Sequence, residues 1–326
     1  MTQFSPFRRL LVADIGGTHC RYALVDPFDT PFPLRNVQRA ATSAFSSFAE
    51  LAAAMVREAS HAGAAPDAAV LAVPGSVVIP GRADCPNIPW PVNIHDAPDL
   101  PARTWLLNDL VAQGWACLAP EGQLLQNILD APEPAVPHSR AIRAVIGPGT
   151  GLGSCVVITE YGQTSVLGSE LGHALFPLLP AETAFAEFAQ ARGERLDGDH
   201  LLSGRGLSTL HAFFTGQELT PKDVASCMNN TPVAEWYARF LGRLCQTLAL
   251  TSLCLDGLYV SGGVAAANIG LLRHPAFAHA FYDCPAQLSI LRAIAVRLVG
   301  NTDSALCGAV VCARQYATLL QQGNIR

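Results

Sequence analysis

The feature that most constrains this chain is a glycine-rich turn between two strands, and it occurs twice. Asp14-Ile15-Gly16-Gly17-Thr18 lies between Leu10-Leu11-Val12-Ala13 and Tyr22-Ala23-Leu24-Val25. Gly147-Pro148-Gly149-Thr150-Gly151-Leu152-Gly153 lies between Ala144-Val145-Ile146 and Cys155-Val156-Val157-Ile158. Each turn leads into another strand, unlike the strand–turn–helix of dinucleotide folds. Two such turns facing each other can hold a polyphosphate between their backbone N–H groups. Glycine lets the backbone approach the phosphates, and Thr18 and Thr150 add hydroxyl donors. Asp14, at the end of the first strand, is placed to hold Mg²⁺ directly or through water. The competing reading is a pair of ordinary hairpins, but turn chemistry alone asks only for Gly or Asn, not for Gly-Thr both times.

Composition removes several function classes. The only lysine, Lys222, follows Pro221 and precedes Asp223, so no Gly-Lys-Ser/Thr loop exists and a P-loop NTPase is excluded. A protein kinase of the usual type also needs a strand lysine, and Lys222 lies in a polar segment. The net charge is −5, so neither nucleic acid nor an anionic membrane is an expected partner. The 10 cysteines form no C-x-x-C pair and no zinc spacing. They read as buried, reduced thiols, which suits a cytoplasmic protein. Arg8-Arg9 before Leu10-Leu11-Val12 is read as the start of the first strand, because Asp14 and Gly16-Gly17 interrupt the apolar stretch before it could serve as an export signal. No apolar run reaches the roughly 18 residues of a membrane span.

Strands alternate with helices, which predicts an α/β fold. Helices are expected over 44–61, 110–118, 181–192, 233–253 and 304–321, and strands over 68–73, 104–107 and 257–260, with a late strand within 289–299. Residues 77–90 read as an irregular hairpin and loop, and the Pro-, Glu- and Gln-rich stretch 120–140 as a surface excursion. The order strand, glycine turn, strand, helix, strand, helix recurs in each half. Two related domains with a cleft between them are therefore expected. The first covers residues 1–110, with the helix of about 304–326 packing back on it, and the larger second covers 111–303.

Several constellations can carry chemistry. Asn108-Asp109 sits where a strand gives way to a helix, and ligands gather at the carboxyl ends of strands in open α/β sheets. A helix N-terminus favours the ionised form of an Asp, which can then accept a proton from an attacking hydroxyl. A plain N-cap uses the same residues. Glu170 and His173, three apart in a glycine-rich loop, offer a strong acceptor and a switchable donor or acceptor to a polyhydroxylated ligand. The alternative there is a surface loop, and zinc has little support without an HExxH or clustered cysteines. Asp199, before Leu201-Leu202-Ser203-Gly204-Arg205-Gly206, reads as a helix cap and turn. Asn87-Ile88-Pro89-Trp90 reads as an edge loop with an aromatic platform, or as a core tryptophan. Ser261-Gly262-Gly263 is a third glycine turn, able to pack on an adenine or ribose.

Taken together and in order, these segments resemble the bacterial ATP-dependent glucokinases of the sugar kinase and actin-like ATPase superfamily, over nearly the whole chain. Asp14 to Arg21 is similar to the first phosphate motif, Gly147 to Gly153 to the second, and Asn87 to Trp90 to the Asn-x-x-Trp segment. Leu107-Asn108-Asp109 resembles the catalytic strand end, and Glu170-Leu171-Gly172-His173 the Glu-Gly-Gly-His sugar loop. Leu202 to Leu207 resembles the segment after the last sugar-binding acid, and Ser261-Gly262-Gly263 the adenosine motif. The resemblance implies two ribonuclease H-like domains, a homodimer, and the substrates ATP and glucose or a related hexose. It makes Asp109 the base on the sugar 6-hydroxyl and gives Asn108 the 3- and 4-hydroxyls. Glu170 and His173 take the hydroxyls near the anomeric carbon, with Asn87, Gly149 and Asp199 completing the sugar site. Gly16, Gly17, Thr18, Gly149, Thr150, Gly151, Gly262 and Gly263 take the nucleotide, and Asp14 the Mg²⁺.

Three departures from the family pattern bear on sugar choice and rate. His19 replaces an Asn beside the transferring phosphate. Leu171 replaces a glycine, adding bulk where backbone should approach the ligand. Asp199 replaces a Glu one methylene longer. A kinase for another hexose or an amino sugar, and a non-catalytic sugar and nucleotide sensor, are the alternatives. ADP or polyphosphate remains open as the donor, since glycine turns do not read the base.

Overall fold

Leu10–Ile15 (β1) and His19–Val25 (β2) are largely buried runs joined by the first glycine turn, and they pair antiparallel with Asp14 opposite Arg21. The computed structural model describes residues 6–29, 34–60, 65–119, 124–132 and 139–323. Gly63, Pro120 and parts of the 120–140 stretch therefore lie outside the described residues. The chain divides into two compact units, residues 1–123 with 303–326, and residues 124–302.

In the first unit the chain continues through β3 (Gln38–Ala41), helix α1 (Phe48–Ser60) and β4 (Ala68–Val73). A small sheet of β5 (Ser76–Ile79), β6 (Arg82–Asp84) and β7 (Val92–Asn93) follows, then β8 (Thr104–Asn108) and α2 (Asp109–Ala116). The main sheet has the order β3-β2-β1-β4-β8. β4 is buried along its whole length, as expected of a strand held between two parallel neighbours. The C-terminal helix Ser304–Gln321 packs on α2, β1 and β4 through a face of small residues. That packing keeps α2 with the strand that feeds it, within the unit of residues 1–123 and 303–326.

The second unit opens with β9 (Leu125–Leu129), then β10 (Arg140–Pro148), β11 (Leu152–Glu160) and β12 (Gln163–Ser169). Helices α3 (Thr183–Ala191), α4 (Gly198–Leu201), α5 (Gly204–Thr215), α6 (Pro221–Cys227) and α7 (Pro232–Ser252) follow. Next come β13 (Leu258–Val260), α8 (Gly263–Ala267), α9 (Ile269–Arg273), α10 (Pro275–Tyr282), α11 (Leu288–Arg292) and β14 (Val296–Val299). The sheet order is β12-β11-β10-β13-β14-β9. Apart from the added edge strand β9, this repeats the order of the first sheet, with three antiparallel strands continued by two parallel ones. The core gathers Phe185, Tyr237, Phe240, Phe277 and Phe281, all fully buried, with the Tyr237 hydroxyl donating to the Leu202 carbonyl at 2.6 Å.

The structure differs from the sequence expectations in several places. The surface excursion contains β9, which pairs antiparallel with β14 and turns Ile128 and Leu129 toward the core. The late strand occupies only 296–299, since 288–292 is helical. Residues 44–47 precede α1, which starts at Phe48. Strands β3 and β12 carry no strand signal in the sequence. β3 (Gln-Arg-Ala-Ala) and much of β12 are polar or small and sit at sheet edges, so they lack the apolar signature of a core strand.

Candidate active site

In the first unit, the glycine turn is fixed from two sides. The Gly16 N–H donates to the His19 carbonyl at 2.9 Å. Thr42, fully buried, donates its hydroxyl to the Gly16 carbonyl at 2.6 Å, and its N–H donates to the Thr18 carbonyl at 3.0 Å. Gly17 has no room for a side chain, because a Cβ there would stand 2.4 Å from the Asn87 carbonyl oxygen. The phosphate turn and the Asn87 loop are thus packed backbone to backbone. The side chains of Thr18 and His19 are exposed at the rim. Trp90 is not a platform: it is 8% exposed, packs against Phe48, and donates its indole N–H to the Phe45 carbonyl at 3.1 Å.

Asp14 faces Arg21 across the β1–β2 pair and is ion-paired to it, while the other arm of Arg21 reaches Asp303 at 3.0 Å. Burial raises the Asp14 carboxyl above its ordinary value, against the pull of the Arg21 charge. Asn108 caps α2, its side-chain oxygen accepting from the N–H groups of Leu110 and Val111 at 2.9 and 3.2 Å. Its amide nitrogen donates to the Gly75 carbonyl at 3.1 Å, so the capping reading holds for this residue. Asp109 is the first residue of α2. Burial, and next the charge of Asp14, push its carboxyl up to about 7. A carboxyl titrating there is suited to general-base work near neutral pH.

In the second unit, the Gly149 N–H closes the turn on the Gly151 carbonyl at 2.8 Å. Asp199, on α4, accepts from the Leu152 N–H at 2.8 Å. A Cβ on Gly151 would lie 2.5 Å from the same carboxylate oxygen. Asp199 therefore braces the second glycine turn, which the sequence did not indicate. Gly262, with φ +99, brings the third glycine turn against the end of β10, where a Cβ would meet the Pro148 carbonyl oxygen at 2.6 Å. A cavity of about 750 Å³ opens beside these turns, a size that suits a small-molecule ligand. Gly149 and Thr150 line it together with Gly204, Arg205 and Ser208 of α5, and with Gly263.

Glu170 precedes and His173 ends the short 3₁₀ turn Leu171–His173, with their side chains 65% and 60% exposed. The carboxylate and the imidazole are 3.9 Å apart, too far for a direct hydrogen bond. Leu171 does not crowd this loop: it is half-buried and packs against the core of the unit. Gly172 is the position without space, where a Cβ would stand 2.1 Å from the Leu152 carbonyl oxygen.

One buried group ties this loop to α4. Asp197, 1% exposed, caps α4 through the His200 N–H at 2.9 Å and also accepts from His200 Nδ1 at 2.8 Å. Its second oxygen holds Arg195 at 3.1 Å, and Arg195 donates to the His173 carbonyl at 3.1 Å. An Asp three residues before His200 is a readable N-cap signal, but the reach to Arg195 and His173 comes from the fold. Asp197→Ala is expected to destabilise the protein by about 2–4 kcal/mol, as removal of a buried, paired carboxylate does. Urea unfolding measures this, and a loss under about 0.5 kcal/mol, the range of surface substitutions, would show that the network contributes little.

Among the described residues no group of three or more His, Cys, Asp and Glu side chains could hold a metal, and no helix is long and apolar enough to cross a membrane. The cysteines are free thiols, most of them buried.

A sequence model of the family described as Glucokinase matches residues 11–316. A glucokinase of Brucella melitensis biotype 1 is 32% identical over 322 residues, covering 94% of this chain and 91% of that protein. The crystal structure of a glucokinase from an Antarctic psychrotroph has a TM-score of 0.78 at 23% identity, covering 94% of this chain and 99% of its own. A ROK family glucokinase from Streptomyces griseus, in complex with glucose and AMPPNP, has a TM-score of 0.61 at 20% identity and covers 94% and 99%. The two repeated sheets are those of actin-like ATPase domains, and with the glycine turns and the strand-end Asn-Asp in place this chain belongs to the glucokinase family.

Proposed function

We propose that this chain transfers the γ-phosphoryl group of ATP to the 6-hydroxyl of glucose, as the entry step of glycolysis, in the cytoplasm and as a homodimer. The observation that carries the reading is Asp109, a carboxylate raised to about 7 at the start of α2. The names of the relatives support the sugar, and the AMPPNP of the Streptomyces neighbour supports the donor.

Asp109 accepts the hydroxyl proton as the oxygen attacks phosphorus. Asn108 spends its oxygen on the cap and one N–H on Gly75, which leaves a second N–H for a neighbouring sugar hydroxyl. Glu170 and His173, both exposed, meet hydroxyls near the anomeric carbon, and Asn87 adds an amide from the loop packed on Gly17. Asp199 has its Oδ1 on Leu152, so Oδ2 is the atom that would meet the sugar. The glycine turns present N–H groups to the phosphates.

Mg²⁺ fits the donor set at Asp14. One carboxylate oxygen is ion-paired to Arg21, and the other makes no hydrogen bond among the described residues. A cation that takes most of its ligands from water and substrate phosphates needs one such oxygen. When bound it neutralises phosphate charge during transfer.

The test is a coupled assay for glucose 6-phosphate with purified protein, ATP, Mg²⁺ and glucose, run from pH 5.5 to 9. Turnover requiring every component is expected, with kcat/KM rising through an apparent pKa near 7 as Asp109 loses its proton, then levelling off. Sugar binding without turnover would replace the kinase by a sensor, and a better rate on another hexose would reassign the sugar.

A further inference from the structure

The cavity of the second unit contains a charge that the proposed reaction leaves without a task. Arg205 is the one charged side chain lining it among the described residues. It stands in the first turn of α5, whose start is tied to the phosphate turn by the Gly204 N–H donating to the Gly149 carbonyl at 3.0 Å. Three lining glycines, 149, 204 and 263, leave backbone rather than side chains facing the space, and Pro221 and Val264 supply an apolar wall.

The guanidinium is only loosely engaged. It is 52% exposed, and its Nη2 stands 3.5 Å from Asp199 Oδ2, long for a charge-assisted hydrogen bond. The better bond of that carboxylate is the 2.8 Å one to Leu152 through the other oxygen. Arg205 can therefore turn to an anion while Asp199 still braces the glycine turn. Three residues on, on the same face of α5, Ser208 also lines the cavity, and its hydroxyl oxygen is buried with no partner among the described residues. One planar cation, exposed backbone and an apolar wall are complementary to a polyphosphate joined to an apolar ring.

We propose that Arg205 is a donor-selecting residue whose guanidinium pairs with the phosphates of a nucleoside triphosphate in this cavity. The proposal rests on the nucleotide reading of the site. It explains why a chain with one lysine, and that one outside the lining, can still neutralise phosphate charge here.

Calorimetry with ADP, adenosine and inorganic tripolyphosphate, on the wild type, Arg205→Ala and Arg205→Lys, tests it. Arg205→Ala is expected to weaken ADP roughly 10- to 100-fold, the loss of one or two charge-assisted hydrogen bonds, and to leave adenosine within about twofold. Arg205→Lys recovers part of the loss. In steady state the KM for ATP rises while the KM for glucose holds. The same loss on adding Arg205→Ala to Asp199→Asn supports a direct phosphate contact. Its disappearance in that background would overturn the proposal, because Arg205 would then act only by holding Asp199. Unchanged ADP binding in Arg205→Ala overturns the assignment and leaves the nucleotide site standing. A wild type that binds neither ADP nor adenosine overturns the nucleotide reading itself. Tripolyphosphate binding tighter than ADP transfers the residue to an inorganic donor and overturns the nucleotide part of the proposal.

Discussion

Asp109→Asn is expected to lose turnover by about 10²–10⁴-fold, the range a general base contributes, and at the same time to stabilise the fold at pH 8. The two effects share one cause. The wild-type carboxyl is pushed from an ordinary 3.8 up to about 7, first by burial and then by Asp14. The folded chain thus binds this proton more tightly than the unfolded chain does. Stability is lost as pH climbs from about 4 through about 7, where the buried group must ionise. Asn is neutral throughout and avoids that loss. It also keeps an oxygen that accepts from the Leu110 N–H, as the Asp109 carboxylate does now at 2.8 Å. The gain at pH 8 is expected to be on the order of 1–3 kcal/mol, kept below the full shift because water still reaches part of the carboxylate. Near pH 4 the variant and the wild type should unfold at the same urea concentration. Turnover within tenfold of wild type would remove Asp109 as the base. A stability difference that ignores pH would show that the carboxylate is not held up by its surroundings.

A large stability effect is also expected from Gly308→Ala. A Cβ at this position would stand 1.6 Å from the Ala112 carbonyl oxygen and 3.0 Å from the Ala116 nitrogen. Gly308 lies where the C-terminal helix crosses α2, both helices use small residues there, and neither obstacle is a side chain that can rotate away. The helices must separate, at a cost of about 3 kcal/mol. For a chain of 326 residues, with an unfolding entropy of about 2.1 cal/mol/K per residue, that lowers Tm by about 4 °C. Because α2 carries Asn108 and Asp109 at its start, residual activity should fall with it at temperatures where the wild type is intact. Gly270→Ala is the control. It is also helical, its nearest neighbour is the Asn229 side chain at 3.8 Å, and it should change stability by less than about 1 kcal/mol or raise it. Equal effects at the two positions would show that the crossing is not tightly packed.

The sequence alone determined the α/β class, the doubled strand–turn–strand unit, the strand-end Asn108-Asp109 and the main helices, because each is a local pattern. Apolar runs make β1, β4, β8 and β10; glycines follow β1, β4 and β10, and Asn108-Asp109 ends β8. Edge strands β3, β9 and β12 were harder to read, since a strand with one open side needs little apolar surface. Only the tertiary structure decided how those patterns are used. Leu171, an intrusion by its place in the motif, turns toward the core, and Trp90 is part of the core as well. Asp199, 47 residues from Leu152, holds the second glycine turn, and Thr42, 26 residues from Gly16, holds the first. Gly17 and Gly151 owe their identity to Asn87 and Asp199, which leave no room for a Cβ. Spacing along a chain reveals which residue types share a turn. It does not carry the distance between a carboxylate and a backbone N–H brought together from remote segments, and here those distances fix the shape of both turns.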